Sequence, residues 1–244
     1  GFHDVFILKL DSAGDFIWVK SIGSPNYEEA ASISPDNFGN VYVTGFFFSP
    51  IDFDPSDGEF VMNSSGTGNA FFMKLDADGN FQWAKQIGGA DGSAYGKSVR
   101  TLENGNVVIL GEFSGITDLN PDGEELIINS AGKDFYLLYL DASGNFLNVY
   151  HTSTSSIDAP GRTDVTRFDV DDSGNFYIIG SIFEAVNFDS VNNEEEFTIT
   201  PDNSFYNGFV LKLNSAGEPQ WVKQVEGSDM VFIYSVAVSN DERV

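Results

Sequence analysis

The chain holds no cysteine, so neither a disulfide staple nor a thiolate metal site is available to it. Only two histidines occur, His3 and His151, and they fall in non-equivalent places. A histidine-based metal centre lacks material, and a hydrolase triad would hang on His151 alone. Basic residues are scarce: 12 against 37 acidic residues give a formal net charge of −25. Nucleic acid and anionic membrane surfaces need basic patches, so neither is expected as a partner. The same charge favours solubility and an affinity for cations. No apolar run approaches the roughly 18 residues of a membrane span, so no direct membrane insertion is expected. The strong runs, such as 41–48, have strand length. No apolar stripe at helical spacing is sustained, so almost no helix is expected. No signal-peptide pattern is present and the first residue is Gly1, so the expectation is a mature product or a piece of something longer.

What the sequence does have is a repeat. The stretch Lys74–Gly88, KLDADGNFQWAKQIG, recurs as KLDSAGDFIWVKSIG from Lys9, YLDASGNFLNVYHTS from Tyr139 and KLNSAGEPQWVKQVEG from Lys212. The four copies start 65, 65 and 73 residues apart. A fixed period of this size decides architecture before any single residue does.

Each unit carries further marks. An alternating run leads into an Asx-rich turn, as Ala31–Ser34 into Asp36-Asn-Phe-Gly-Asn40. A run closing on glycine follows: Val41–Gly45, Val107–Gly111 and Phe176–Gly180. Seven residues on come Asp52-Phe-Asp54, Asp118-Leu-Asn120 and Asn187-Phe-Asp189, then an acidic segment and a short apolar run. Short β-branched and aromatic runs between Gly/Asn/Asp turns read as strands. Gly and Asn tolerate positive φ, and an Asp or Asn side chain can bond the backbone two residues on.

About four strands per unit without crossover helices leaves propeller, solenoid or tandem sandwich. A period near 65 residues is too long for a solenoid coil and too short for a sandwich, which typically needs ~100 residues. The expected class is therefore all-β: a β-propeller, or an open propeller segment, of four-stranded antiparallel blades, about 65–73 residues per repeat. Residues 1–25 read as the second half of a blade, 26–90, 91–155 and 156–228 as full blades, and 229–244 as the start of the next. An arc with half-blades at its ends would leave exposed edges, so the chain is expected to belong to a longer polypeptide or an assembly.

These residues carry a family resemblance. The pattern [D/N]-x-F-x-x-K-L-[D/N]-x-x-G-x-x-x-W, best seen in Asp4–Trp18, and the DNFGNVYVTG and DFDP segments of Asp36–Pro55 resemble the SBBP-type β-propeller repeat. The likeness spans nearly the whole chain and weakens in the third copy, where Tyr139 replaces Lys and Asn148 replaces Trp. It implies a propeller in a large secreted or surface protein of bacteria, of the Bacteroidetes type. It implies no catalytic residues.

Four groups are candidate functional residues. Lys9, Lys74, Lys212 and Lys20, Lys85, Lys223 would line a groove as a ring of cations, or more simply form one interstrand or interblade ion pair per blade with their stems on apolar surface. Trp18, Trp83 and Trp221 would stack sugars, or more simply pack blades. Asp52, Asp54 and Asp57, and Asp118, Asn120 and Asp122, offer oxygens at the spacing of the start of a calcium loop. Asn187–Asp189 with Glu194-Glu-Glu196 is a third version. The alternative is a turn whose side chains cap its own backbone. No cofactor is required, and Ca2+ is the one these loops allow. Finally Tyr139, Asn148, Tyr150 and His151, where the repeat departs from its pattern, form a candidate partner surface. Gly92–Ser98 mimics a phosphate loop but has three residues between its glycines and no helix to follow, so it is set aside. The functional expectation is a non-catalytic scaffold, adhesion or protein-interaction module of a secreted or cell-surface bacterial protein, with a protein or glycan as partner. The alternative is a carbohydrate-binding or carbohydrate-active propeller, since carboxylates are too abundant to single out or exclude an acid/base pair.

Overall fold

In a computed structural model, residues 3–65, 67–152, 162–189, 197–201, 205–239 and 244 are described. The segment Glu194–Glu196 lies outside them, as do residues 240–243. Among the described residues there is no α-helix.

The first copy is an antiparallel hairpin of β1 (Val5–Leu10) and β2 (Phe16–Ile22), with Leu8 opposite Val19. Next come β3 (Glu28–Pro35), β4 (Val41–Phe47), the short pair β5 (Ile51–Asp52) and β6 (Val61–Met62), then β7 (Asn69–Leu75) and β8 (Phe81–Thr101). Strands β3, β4, β7 and the first part of β8 form a four-stranded antiparallel blade. β8 then runs on and neighbours β9 (Val107–Asp118), which is followed by β10 (Ile127–Leu140) and β11 (Phe146–His151). The last full blade is β12 (Thr163–Val170), β13 (Phe176–Ile182), β16 (Asn207–Leu213) and β17 (Pro219–Val225), with the short pair β14 (Val186–Asn187) and β15 (Thr198–Ile199) to one side. The protein is thus all-β, built of four-stranded antiparallel blades of propeller type. Gly92–Ser98 lies within β8, in extended backbone.

The chain forms two compact units. One comprises Gly1–Ile109, Ile116–Ile128 and Leu138–Asn148; the other comprises Leu110–Gly115, Asn129–Leu137 and Val149–Val244. In the first, Val5, Ile7 and Ile22 cluster with Val41, Val43, Phe47, Phe53, Phe71, Met73 and Leu75. In the second, Phe135, Phe188 and Phe209 meet ring to ring, with centroids 6.2, 6.4 and 4.9 Å apart. The inner strands β4 and β13 are buried on both faces, which is why they read as continuous apolar runs rather than as alternation.

The turn chemistry follows the sequence closely. Asp36 Oδ1 accepts from the N–H groups of Phe38 and Asn40, both at 2.9 Å, and its Oδ2 accepts from Asn40 Nδ2 at 2.7 Å. Asp76, Asp141 and Asp171 repeat that geometry. The fourth opening hairpin reverses the polarity: Asn214 donates from Nδ2 to Glu218 Oε2 at 2.7 Å. Donor and acceptor have changed places across the same turn.

Candidate interaction surface

Residues that recur at equivalent positions serve the period. Lys9 Nζ donates to Ala77 O, in the hairpin turn of the next copy, at 2.6 Å, and Lys74 Nζ donates to Ala142 O at 2.9 Å. The indoles do the same: Trp18 Nε1 donates to Ala77 O at 3.1 Å and Trp83 Nε1 to Ala142 O at 3.5 Å. Lysine and tryptophan therefore converge on one carbonyl of the neighbouring turn. Lys212 lies over the Tyr177 ring, as Lys74 lies over Tyr42, 5.0 and 5.1 Å from the centroids. Lys85 pairs with Asp122 at 2.5 Å. Where the expectation for this set was an ion pair, Lys9 and Lys74 join blades through a turn carbonyl rather than a carboxylate, so their contact is a charge–dipole bond.

The Asp-Phe-Asp loops have an equally local explanation. The third mark and the apolar run after it pair with each other: Phe53 N–H donates to Phe60 O, Leu119 N–H to Leu126 O and Phe188 N–H to Phe197 O, each at 3.0 Å. The central Phe53, Leu119 and Phe188 are buried plugs. The flanking side chains close the loop. Asp52 Oδ1 accepts from the N–H groups of Asp54 (3.0 Å) and Phe60 (2.8 Å), and Asp118 Oδ1 from those of Asn120 (3.0 Å) and Leu126 (2.9 Å). Asp54 accepts from Ser56 N–H at 2.9 Å, and Asn120 from Asp122 N–H at 2.9 Å. Asp122 also accepts from Phe146 N–H at 2.5 Å. Asp57 is exposed in the same loop. Among the described residues no three His, Cys, Asp or Glu side chains come together as a cation site.

The departures in the third copy occupy different settings. Tyr139 sits half-buried, and burial pushes its hydroxyl well above the ordinary phenol value. Asn148 is exposed. Tyr150 is buried, donates its hydroxyl to Phe188 O and packs on Phe135. His151 stands edge-on to Phe113 with ring centroids 6.3 Å apart, and its Nδ1 lies 3.0 Å from Thr152 O.

The copies also differ at the end of each blade where β3-type strands begin and β4-type strands finish. In the first unit this end is aromatic. Tyr27 stacks on Phe46 (5.9 Å between centroids), Phe46 meets Phe48 and Tyr95 edge-on at 5.6 and 5.1 Å, and His3 lies 4.6 Å from Tyr27. Tyr27 donates to Glu29 Oε2 at 2.6 Å, and that bond holds the phenol proton and raises its pKa. Tyr27, Phe46 and Tyr95 are half-buried, and Phe48 is exposed.

In the second unit charged residues enter at two of the equivalent positions, Glu112 and Arg162, while Phe183 stands where Phe48 does. Glu112 follows Gly111 as Phe46 follows Gly45, and Arg162 bridges Lys133 as Tyr27 bridges His3. Lys133 Nζ pairs with the buried Glu112 at 2.7 Å and with Asp164, and Arg162 Nε pairs with Asp164 at 3.2 Å. Burial works against the Lys133 charge, but Glu112 and Asp164 outweigh it and raise its pKa. Arg162 also lies over Tyr206, 5.8 Å from the centroid, and Tyr206 contacts Phe183 and Phe232 at 5.3 and 5.5 Å. Sequence reasoning passed over these residues because it looked for what recurs. Aligning the copies and asking where residue type changes, as in Phe46, Glu112 and Ser181, points to this end of the blades.

No family model matches the chain. Its sequence is similar to an uncharacterized WD repeat-containing protein, L264, of Acanthamoeba polyphaga mimivirus, 32% identical over 136 residues, covering 51% of this chain and 10% of that protein. It is also similar to the regulatory protein FlaEY of Caulobacter vibrioides, 30% identical over 89 residues, covering 36% of this chain and 9% of that protein. The match spans about a tenth of the length of each curated relative. A solved protein of unknown function from Bacteroides caccae superposes with a TM-score of 0.42 at 10% identity, covering 96% of this chain and 78% of that one. The likeness to a WD repeat-containing protein agrees with a propeller-type repeat architecture.

Proposed function

We propose that this chain is a non-catalytic propeller segment serving as a protein-interaction scaffold, in a secreted or cell-surface bacterial protein built of SBBP-type repeats. The observation that carries the reading is the split between constant and variable positions. Lysines, tryptophans, Asx turns and Asp-Phe-Asp loops repeat and are consumed by blade construction. At the end of the blades bearing Tyr27, Phe46 and Phe48 the first two positions change between copies, and this end presents aromatic rings, the residue type that dominates the buried centres of interfaces. The acidic surface supports a partner that is neutral or basic there. The same rings would also suit the faces of sugars, so a cell-surface glycan is the second reading.

Photo-crosslinking tests this. A benzoylphenylalanine at Phe48 is compared with one at Phe38, which is exposed in the β3–β4 turn, about 25 Å away along the strands. The expected result is a discrete cross-linked protein from position 48 alone, lost when Tyr27→Ala is added. Equal cross-linking from both positions would overturn the assignment. Binding to a glycan array that Tyr27→Ala abolishes would assign the surface to sugar instead.

A further inference from the structure

We infer that the outward face of hairpin β1–β2 is a blade-packing surface, and that a further blade of the same repeat, carried on the same polypeptide, covers it. Phe6, Leu8 and Leu10 occupy the repeat positions of Phe71, Met73 and Leu75, of Tyr136, Leu138 and Leu140, and of Phe209, Leu211 and Leu213. Those nine side chains are all 0–1% exposed, whereas Phe6 is 71% exposed and Leu8 and Leu10 are each 47% exposed. On the partner strand, Val19 faces Leu8 and is exposed, while its counterpart Ala84 faces Met73 and is buried. Phe16, opposite Leu10, is 66% exposed. An apolar face this continuous is not what a solvated surface carries.

The occupant can be read from the copy that has one. Phe71, Met73, Leu75 and Ala84 cluster with Val5, Ile7 and Ile22, the other face of the first hairpin. A blade presenting β-branched groups of that kind fits the Phe6–Leu10 face. The edge of β1 asks for the same thing. In later copies a β4-type strand pairs with the β7-type strand, Val43 opposite Met73 and Ile178 opposite Leu211, whereas among the described strands β1 pairs with β2 alone. A second copy of this chain does not supply that strand, because its β4, β9 and β13 each already lie between two neighbours. A blade on the same polypeptide does, and the curated relatives are each about ten times longer than the stretch that matches this chain.

The test compares the 244-residue chain with a polypeptide extended at its N-terminus through the preceding repeat, about 65 residues on the spacing seen here. Three quantities are read: binding of anilinonaphthalene sulfonate, hydrogen exchange along β1, and sedimentation. The extension is expected to abolish dye binding and slow exchange along β1. The double variant Phe6→Ser/Leu8→Ser is expected to weaken dye binding by the short chain and shift its Tm by no more than about 2 °C. In the extended polypeptide it lowers Tm by more than about 5 °C, because the same side chains are then core. Undiminished dye binding and fast exchange along β1 in the extended, folded polypeptide would overturn the inference. So would a short chain that sediments as a dimer dissolved by the double variant, since the occupant would then be a second copy. The sedimentation result stands even if the extended polypeptide does not fold.

Discussion

Adding one methyl group to the hairpin turns separates the strain of a backbone from the packing of a blade. Gly14, Gly79 and Gly144 close equivalent opening-hairpin turns and Gly105 closes the turn between β8 and β9, all with φ between +81° and +86°. Alanine in that conformation costs about 1 kcal/mol at each position, whatever surrounds it. The surroundings differ sharply. A Cβ on Gly14 meets nothing within 4 Å, and one on Gly105 meets only Ala142 Cβ at 3.9 Å. On Gly79 it would sit 2.9 Å from Lys20 Cε and 3.1 Å from the Trp18 ring, and on Gly144 it would sit 2.9 Å from the Trp83 ring. Overpacking of that kind adds about 1–3 kcal/mol. Gly14→Ala and Gly105→Ala should therefore cost about 1 kcal/mol, or some 2–4 °C in Tm for a chain of this size. Gly79→Ala and Gly144→Ala should cost about 2–4 kcal/mol, or some 5–15 °C. Thermal unfolding followed by circular dichroism reads all four. Trp83→Leu should make the Gly144→Ala penalty smaller than it is in the parent, because touching residues couple. Equal losses at Gly79 and Gly105 would refute the claim that the indole holds neighbouring blades together through that glycine.

The acidic loops make a second prediction: Asp118→Ala, which strips the caps from Asn120 and Leu126 N–H groups, should cost about 2 kcal/mol in urea denaturation, while EDTA leaves the Tm of the parent within about 1 °C. A chelator effect as large as the mutation would show that an ion, not the backbone, is what Asp118 serves. The Asx turns make a third. Asp76→Asn replaces the charged acceptor of Asn80 Nδ2 with a neutral amide and should lower Tm, and Asp76→Asn with Asn80→Glu should recover the loss by adopting the Asn214–Glu218 arrangement. Burial works against the charge of Asp36, Asp76, Asp141 and Asp171, but the amide of the partner Asn and the turn N–H groups outweigh it and hold each carboxyl below its ordinary value. Their contribution to stability is therefore complete above about pH 4 and is lost as pH falls through the depressed folded values, so the quadruple Asn variant should show a flatter acid-unfolding profile than the parent.

The sequence by itself determined the strands, their turns and the architecture. Each Asp-x-x-Gly turn is decided within five residues, by a side chain reaching its own backbone and a glycine that tolerates positive φ, so it can be read without knowing what lies across from it. The two-sided burial of Ala70–Met73 was legible for a similar reason, because an apolar run of strand length between turns leaves no polar face to solvent, whereas the same pattern in Val5–Leu8 is buried on one face alone. Tertiary structure decided what the polar side chains are for. Asp52 and Asp118 carry the spacing of cation ligands, and only the pairing of Phe53 with Phe60 and of Leu119 with Leu126 shows Oδ1 of each closing a loop. Lys9 and Trp18 recur as a motif, and only the packing of consecutive blades shows both meeting at Ala77 O. The aromatic end at Tyr27, Phe46 and Phe48 lies on segments some twenty residues apart and is brought together by the β3–β4 pairing, a contact that local spacing does not encode. Short-range hydrogen bonding is written into neighbouring residues, whereas the contacts that make a surface depend on which strands the whole chain sets side by side.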